Sequence, residues 1–182
     1  MYLDLIKDKM KDHPGRLQHI LGVSEECVKL AKHYKLDEDK AYTMGLLHDI
    51  AKKLPLEEQK EILIKGNYEI PHHKIWHSYA GEYICKMELG ITDKEILDGV
   101  KYHTTCCKEM TPLMKVLFMA DIIEQRTRSG ETIEKMRKLA YTDLDVAIAY
   151  KLNWMLKKIK TNTPHKDTVE AFNNYRKYLE RS

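Results

Sequence analysis

The 182-residue sequence has little that could carry it into or across a membrane. Its opening segment, MYLDLIKDKMKDH, is charged throughout and has neither a long apolar run nor a small-residue cleavage signal. Secretion and membrane spanning are therefore not expected, and the cytoplasm is the expected compartment. The four cysteines, Cys27, Cys85, Cys106 and Cys107, include no C-x-x-C pair, and a bridge between adjacent Cys106 and Cys107 would be strained. They read as reduced thiols packing the interior. A net charge of +3 is too small to define a nucleic-acid surface, although it is compatible with an anionic small molecule. Strand signals are nearly absent, as are internal repeats, low-complexity tracts and long linkers.

What is present is helical periodicity, with apolar residues recurring at spacings of three and four among Lys, Glu, Leu and Met. At 43% hydrophobic and 32% charged residues, the chain is long enough to bury a continuous core without disulfides or a structural metal. The expected fold is all-α, a helical bundle of one domain over residues 1–182. Helices are expected at 2–11, stopping at His13-Pro14-Gly15, and at 16–35. A third, capped by Asp37, should end before Pro55, and a short one at 57–65 should stop at Gly66-Asn67. After a turn at Pro71 come 76–88, ended by Gly90, and a helix opened by a Thr92/Glu95 capping box and running to Tyr102. Thr111-Pro112 should start another, interrupted at Ser129-Gly130, with helices at 131–139, 143–160 and 167–180 completing the chain.

The chemically informative stretch is GLLHDIAKKL, residues 45–54. His48 and Asp49 are expected near the end of an apolar helix, about 100° apart around its axis, so both can lean toward one point. A buried aspartate is costly without a partner, and a divalent metal is one such partner. Alone, the pair also fits a packed histidine beside a salt-bridged aspartate. Further candidates change the weighting: His19 in RLQHILG, His77 in IWHSYAG, His103 in KYHTT and Asp121 in LFMADII. Asp121 lies among Phe118, Met119, Ile122 and Ile123, where a lone carboxylate demands a charge partner, either a metal or Arg126 or Arg128. Gly22, Gly45 and Gly81 fall three or four residues from His19, His48 and His77, at about 1 kcal/mol each relative to alanine. They make room for substrate, let helices approach the metals, or serve packing alone.

Three or four nitrogen and oxygen donors per ion suit Fe, Mn, Zn, Co or Ni better than Mg. Six candidate donors allow two ions if a carboxylate bridges them, and Asp49 is the expected bridge. Such a pair can acidify a bridging water and neutralise phosphoryl oxygens, which points to phosphate-ester or anhydride hydrolysis. Arg16, Lys52 and Arg126, with Thr104 and Thr105, are the expected substrate contacts, and Asp49 and Lys52 the expected catalytic groups. Lys53 is assigned to the surface.

The segments RLQHILGV at 16–23, GLLHDIAK at 45–52, WHSYAGEY at 76–83, YHTT at 102–105 and MKVLFMADIIE at 114–124 resemble the HD-domain metal phosphohydrolase superfamily. Within it they resemble the bacterial YqeK-like symmetrical bis(5'-nucleosyl)-tetraphosphatases. The resemblance implies a metal-site core at about 16–126 followed by C-terminal packing helices at 131–182. It also implies a two-metal centre, with iron the expected metal, and cleavage of diadenosine tetraphosphate into two ADP by metal-activated water. His19, His48, Asp49 and Asp121 would then serve one ion, and Asp49, His77 and His103 the other. A homodimer is compatible with it; nucleic acid and membrane partners are not expected. Two departures fall near the substrate loop: HTTCC where that family usually has HTTG, and IEQR where it has a proline after the glutamate. The competing readings are another HD-domain nucleotidase or signalling-nucleotide phosphodiesterase, a di-iron oxygenase, and a nucleotide-binding regulator without turnover.

Overall fold

Side-chain caps and prolines set where most helices begin. In the computed structural model, which describes residues 2–69, 72–159 and 163–181, ten α-helices and two 3-10 segments account for the regular structure, with no strand among the described residues. They are α1 (Tyr2–Lys9), α2 (Pro14–His33), α3 (Glu38–Leu47), α4 (Leu56–Lys65), α5 (Trp76–Met87), α6 (Lys94–Tyr102), α7 (Pro112–Ile123), α8 (Glu131–Ala140), α9 (Leu144–Lys158) and α10 (Lys166–Tyr175). The 3-10 turns are His73–Ile75, leading into α5, and Arg176–Arg181. Asp37 caps α3 by accepting from Lys40 N–H at 2.8 Å, and Thr111 caps α7 with Pro112 in its first turn, both as expected. No described helix is long and apolar enough to cross a membrane.

Several boundaries differ from the sequence reading. The cap of α6 is Asp93, which accepts from Glu95 and Ile96 N–H, so the expected Thr92/Glu95 box does not form. Aspartate one position on supplies the acceptor directly and shifts the start by one residue. The third helix stops at Leu47 rather than running toward Pro55. Ile50, Lys52 and Leu54 N–H bond three residues back, to Leu47, Asp49 and Ala51, so His48–Leu54 is a series of tight turns. α7 ends at Ile123, before Ser129-Gly130, because Glu124 adopts an extended ψ of 150°. The last helix is shorter than 167–180 and gives way to the 3-10 turn from Arg176. The turn expected at Pro71 and the end expected at residue 160 lie outside the described residues.

The apolar residues collect into two cores. One gathers α7–α10 onto Val23, Cys27, Leu30 and Ala31 of α2 and Met44 of α3, centred on Phe118 and Leu117. The other gathers α1, α4, α5 and α6 onto Ile20 of α2 and Leu46 and Leu47 of α3. The α2–α3 pair is thus common to both, and it can pack closely because Gly45 lies against the α2 backbone. A Cβ there would stand 2.6 Å from Ser24 Cα. The seam between the cores is where the ionisable residues meet.

Candidate metal centre

All six proposed donors come to this seam. His19 arrives on α2, His48 and Asp49 at the end of α3, His77 in the first turn of α5, His103 at the C-cap of α6 and Asp121 on α7. Every one except Asp121 is buried, and Asp121 keeps 22% of its side chain accessible. The early end of α3 matters locally, because it puts Asp49 in a turn where its two oxygens diverge. Oδ2 faces His48 Nε2 at 3.5 Å and His19 Nε2 at 3.9 Å. Oδ1 faces His77 Nε2 at 3.5 Å and His103 Nε2 at 3.6 Å. Asp121 Oδ1 completes the first side, 3.0 Å from His19 Nε2 and 3.9 Å from His48 Nε2. Donor atoms of His19, His48 and Asp49, and separately of Asp49, His77 and His103, all lie within 4.8 Å of one another.

Hydrogen bonds behind the rings fix which nitrogen looks inward. His48 Nδ1 lies 2.7 Å from the carbonyl of Gly45, and His103 Nδ1 2.7 Å from that of Val100. A carbonyl only accepts, so each Nδ1 carries a proton and each Nε2 is the nitrogen turned to the seam. Burial lowers the pKa of His48 to about 4 and that of His77 to about 3, so both are neutral near pH 7. The Nε2 atoms of His19 and His48 are buried without a hydrogen-bond partner. Lone pairs therefore face carboxylate oxygens across the seam. Acceptors facing acceptors fit a cation between them, and mixed nitrogen and oxygen donors fit a transition ion. The carboxylates stay ionised: burial raises the pKa of Asp49, but the facing histidines outweigh it and hold it well below the usual range. Asp121 goes the same way, burial being overcome by the His19 contact and the charge of Lys151.

Sequence reasoning misses Glu124. Its side chain is fully buried, and Oε1 stands 3.2 Å from His19 Nδ1. The same carboxylate accepts from Arg126 N–H at 2.6 Å, Thr127 N–H and the Thr127 hydroxyl. It thus orients His19 much as backbone carbonyls orient His48 and His103. The cost of an unpaired carboxylate on an apolar helix, applied to Asp121, applies equally three residues later and would have found it. Gly22 serves this group: a Cβ there would overlap Glu124 Oε2 and stand 3.0 Å from its Cδ. The glycine beside His19 therefore makes room for a supporting carboxylate.

The expected substrate residues divide. Arg16 bonds Asp49 Oδ2 at 2.5 Å, and Lys52 Nζ lies 3.2 Å from His77 Nε2, its pKa lowered by burial. Thr104 pairs with Ser78 at 3.0 Å, and Thr104 and Thr105 line a cleft of about 470 Å³ with His72, Ile75, Met155 and Pro164. Arg126 is different: its guanidinium is held by Glu25 at 2.5 and 3.0 Å and by Gln18 at 2.6 Å, which commits it to tying the loop after α7 to α2. Arg128, rather than Arg126, lies near Asp121, at 3.9 Å. A second cleft, of about 420 Å³, reaches His19 and is lined by His13, Arg16, Lys53 and Arg128, so the lysine assigned to the surface borders the site.

Imidazoles and carboxylates from separate helices, converging at one buried seam of an all-helical bundle, define the class of metal-dependent hydrolase centres. A family model described as the HD domain matches residues 16–126, and the chain belongs to that family. The protein of Bacillus subtilis (strain 168) named bis(5'-nucleosyl)-tetraphosphatase, symmetrical, is 35% identical over 179 residues, covering 94% of each chain. A Staphylococcus aureus protein of the same name is 33% identical over 182 residues, covering 94% of this chain and 91% of its own. The crystal structure of a predicted HD superfamily hydrolase involved in NAD metabolism, from Clostridium acetobutylicum, superposes with a TM-score of 0.86 at 34% identity, covering 98% and 97% of the two chains. One departure from the HTTG pattern has a visible accommodation. Cys106, at the position of that glycine, has φ +62°, the left-handed conformation that glycine adopts most easily, and its side chain is buried.

Proposed function

We propose that this chain hydrolyses diadenosine tetraphosphate and related dinucleoside polyphosphates symmetrically, releasing two ADP. The observation that carries the reading is Asp49, which turns one oxygen toward His19 and His48 and the other toward His77 and His103. The names of the close relatives supply the substrate. His19, His48, Asp49 and Asp121 would hold one ion and Asp49, His77 and His103 the other, iron being the metal we favour among Fe, Mn, Co, Ni and Zn. Ions of this kind supply Lewis acidity and an acidified water.

The remaining chemistry belongs to the chain. Neutral imidazoles, kept so by burial, remain available as donors, and their fixed tautomers avoid reorganisation. Arg16, paired with Asp49 at the edge of the basic cleft, would meet phosphoryl oxygens. Lys52, half-buried against His77, would stabilise negative charge on the departing ADP. In the balanced reaction one water is consumed. Its oxygen ends on one central phosphorus, and the bridging oxygen leaves with the other ADP. The proposed substrate, a soluble nucleotide, would be met in the cytoplasm.

The test is product identification after metal reconstitution, beside an Asp49→Ala control. ADP as the sole nucleotide product, with turnover abolished in Asp49→Ala while its helical circular dichroism is kept, is the expected result. ATP with AMP, or phosphate released only from monophosphates, would reject the symmetrical reading. Unchanged turnover in the variant would reject the role of Asp49.

A further inference from the structure

We infer that Lys53 and Arg128 form a phosphate subsite in the cleft beside His19, holding the phosphates of one nucleotide half. The inference rests on the dinucleotide reading above and deepens it. The cleft measures about 420 Å³, within the range of small-ligand pockets, and its wall carries Arg16, Lys53, Arg128 and His13 against the single acid Asp12. With Arg16 drawn to Asp49, Lys53 and Arg128 are the cations left to meet an anion there. Because His19 is itself part of the wall, an anion there lies beside the first donor triad rather than at a remote surface.

The two cations are open to such a ligand. No ion pair engages Lys53 among the described residues, and Arg128 has only a 3.9 Å contact to Asp121 Oδ1. Arg128 Nε is buried without a hydrogen-bond partner, so this donor faces the interior without an acceptor. Neighbouring basic residues differ. Arg126 is fully committed to Glu25 and Gln18, and Arg137 to Glu134 and the Ile123 carbonyl. The cleft lined by Thr104 and Thr105 carries Lys74 and Lys158 beside Ile75, Met155, Ile159 and Pro164 but none of the six donors, so of the two it is the cleft at His19 that puts a bound anion against a donor. Lys53 follows Lys52 by one position, so the turns after α3 present one lysine to His77 and the next to the cleft.

The test uses the metal-reconstituted protein, comparing Lys53→Met, Arg128→Met and the double variant with wild type and with Lys60→Met, an exposed lysine of α4 outside the cleft. Affinity for ADP is measured by calorimetry, and KM and kcat for diadenosine tri-, tetra- and pentaphosphate by product analysis. Each single cleft substitution is expected to weaken ADP by about tenfold and to raise KM for the tetraphosphate more than it lowers kcat. Lys60→Met should bind like wild type. Wild-type ADP affinity and KM in the cleft variants would overturn the subsite while leaving the symmetrical activity standing. If wild type releases no ADP from the tetraphosphate, the functional reading fails, and the ADP affinities alone then support or overturn the subsite.

Discussion

Replacing Gly22 with alanine should damage the centre from behind, without touching any proposed ligand. The added methyl would overlap Glu124 Oε2, with Glu124 Cδ at 3.0 Å and Arg126 Cβ at 3.2 Å. The carboxylate has little freedom to retreat, because the backbone N–H groups of Arg126 and Thr127 hold it on its other side. The bonds most exposed to loss are the two longest, to His19 Nδ1 and from Thr127 N–H to Oε1, each 3.2 Å, and only the first reaches a proposed ligand. Losing a charge-assisted hydrogen bond in a buried place costs about 1.5–3 kcal/mol. Alanine returns about 1 kcal/mol of helix propensity. The net loss of about 0.5–2 kcal/mol corresponds to a Tm lower by about 1–8 °C for a chain of this length. Measuring in the presence of chelator removes any contribution from bound metal. Gly15→Ala is the matched control, since a Cβ at that exposed first-turn position meets nothing within 4 Å and should be neutral or stabilising. After reconstitution, ion affinity at the His19 side should fall about 10–100-fold, as for other losses of a supporting hydrogen bond. A Gly22→Ala protein as stable as Gly15→Ala, with unchanged metal content, would refute the account of Glu124.

Acid should destabilise the chelator-treated protein over a defined window. His48 titrates near 6.5 when unfolded and near 4 when folded, because burial disfavours its charged form. Stability is therefore full above 6.5 and falls toward 4, by on the order of 3 kcal/mol for this residue, with His77 acting in the same direction. A urea midpoint that stays flat or rises on acidification would contradict this. Lys35 sits exposed at φ +56° just past α2, in a turn where Leu36 N–H bonds the Ala31 carbonyl. Lys35→Gly should raise stability by about 1 kcal/mol in thermal denaturation, and a loss would count against backbone strain there. Lys52→Met should lower kcat by tenfold or more, by about 1.4 kcal/mol or more of barrier, with helicity and metal content retained. An unaltered kcat would remove Lys52 from the chemistry.

The donors are legible in the sequence because their cost is local. A carboxylate between Phe118 and Ile122, or a histidine amid Leu and Ile, announces a partner through its immediate neighbours. Helical periodicity locates the elements, and Asp37 and Thr111 mark two starts by the chemistry that caps them. What escapes depends on distant packing. The stop of α3 at Leu47 is not signalled by any breaker before Pro55; it accompanies the turns that present Asp49 to both histidine pairs. Arg126 and Arg128 look equivalent along the chain, and only the position of Glu25 on α2 separates their roles. Glu124 is legible by the same reasoning as Asp121. Lys53 is not, since its neighbours in the cleft come from α2 and from the loop after α7.

Because the donors stand where the two apolar cores abut, they answer to neither core alone. His77 and His103 belong to the α5–α6 half, Asp121 to the α7–α10 half, and the α2–α3 pair hinges on both. Two ions sharing Asp49 would rivet one half of the molecule to the other. Chelation should then be felt first as faster amide exchange along that joint, while the middle of each half stays protected.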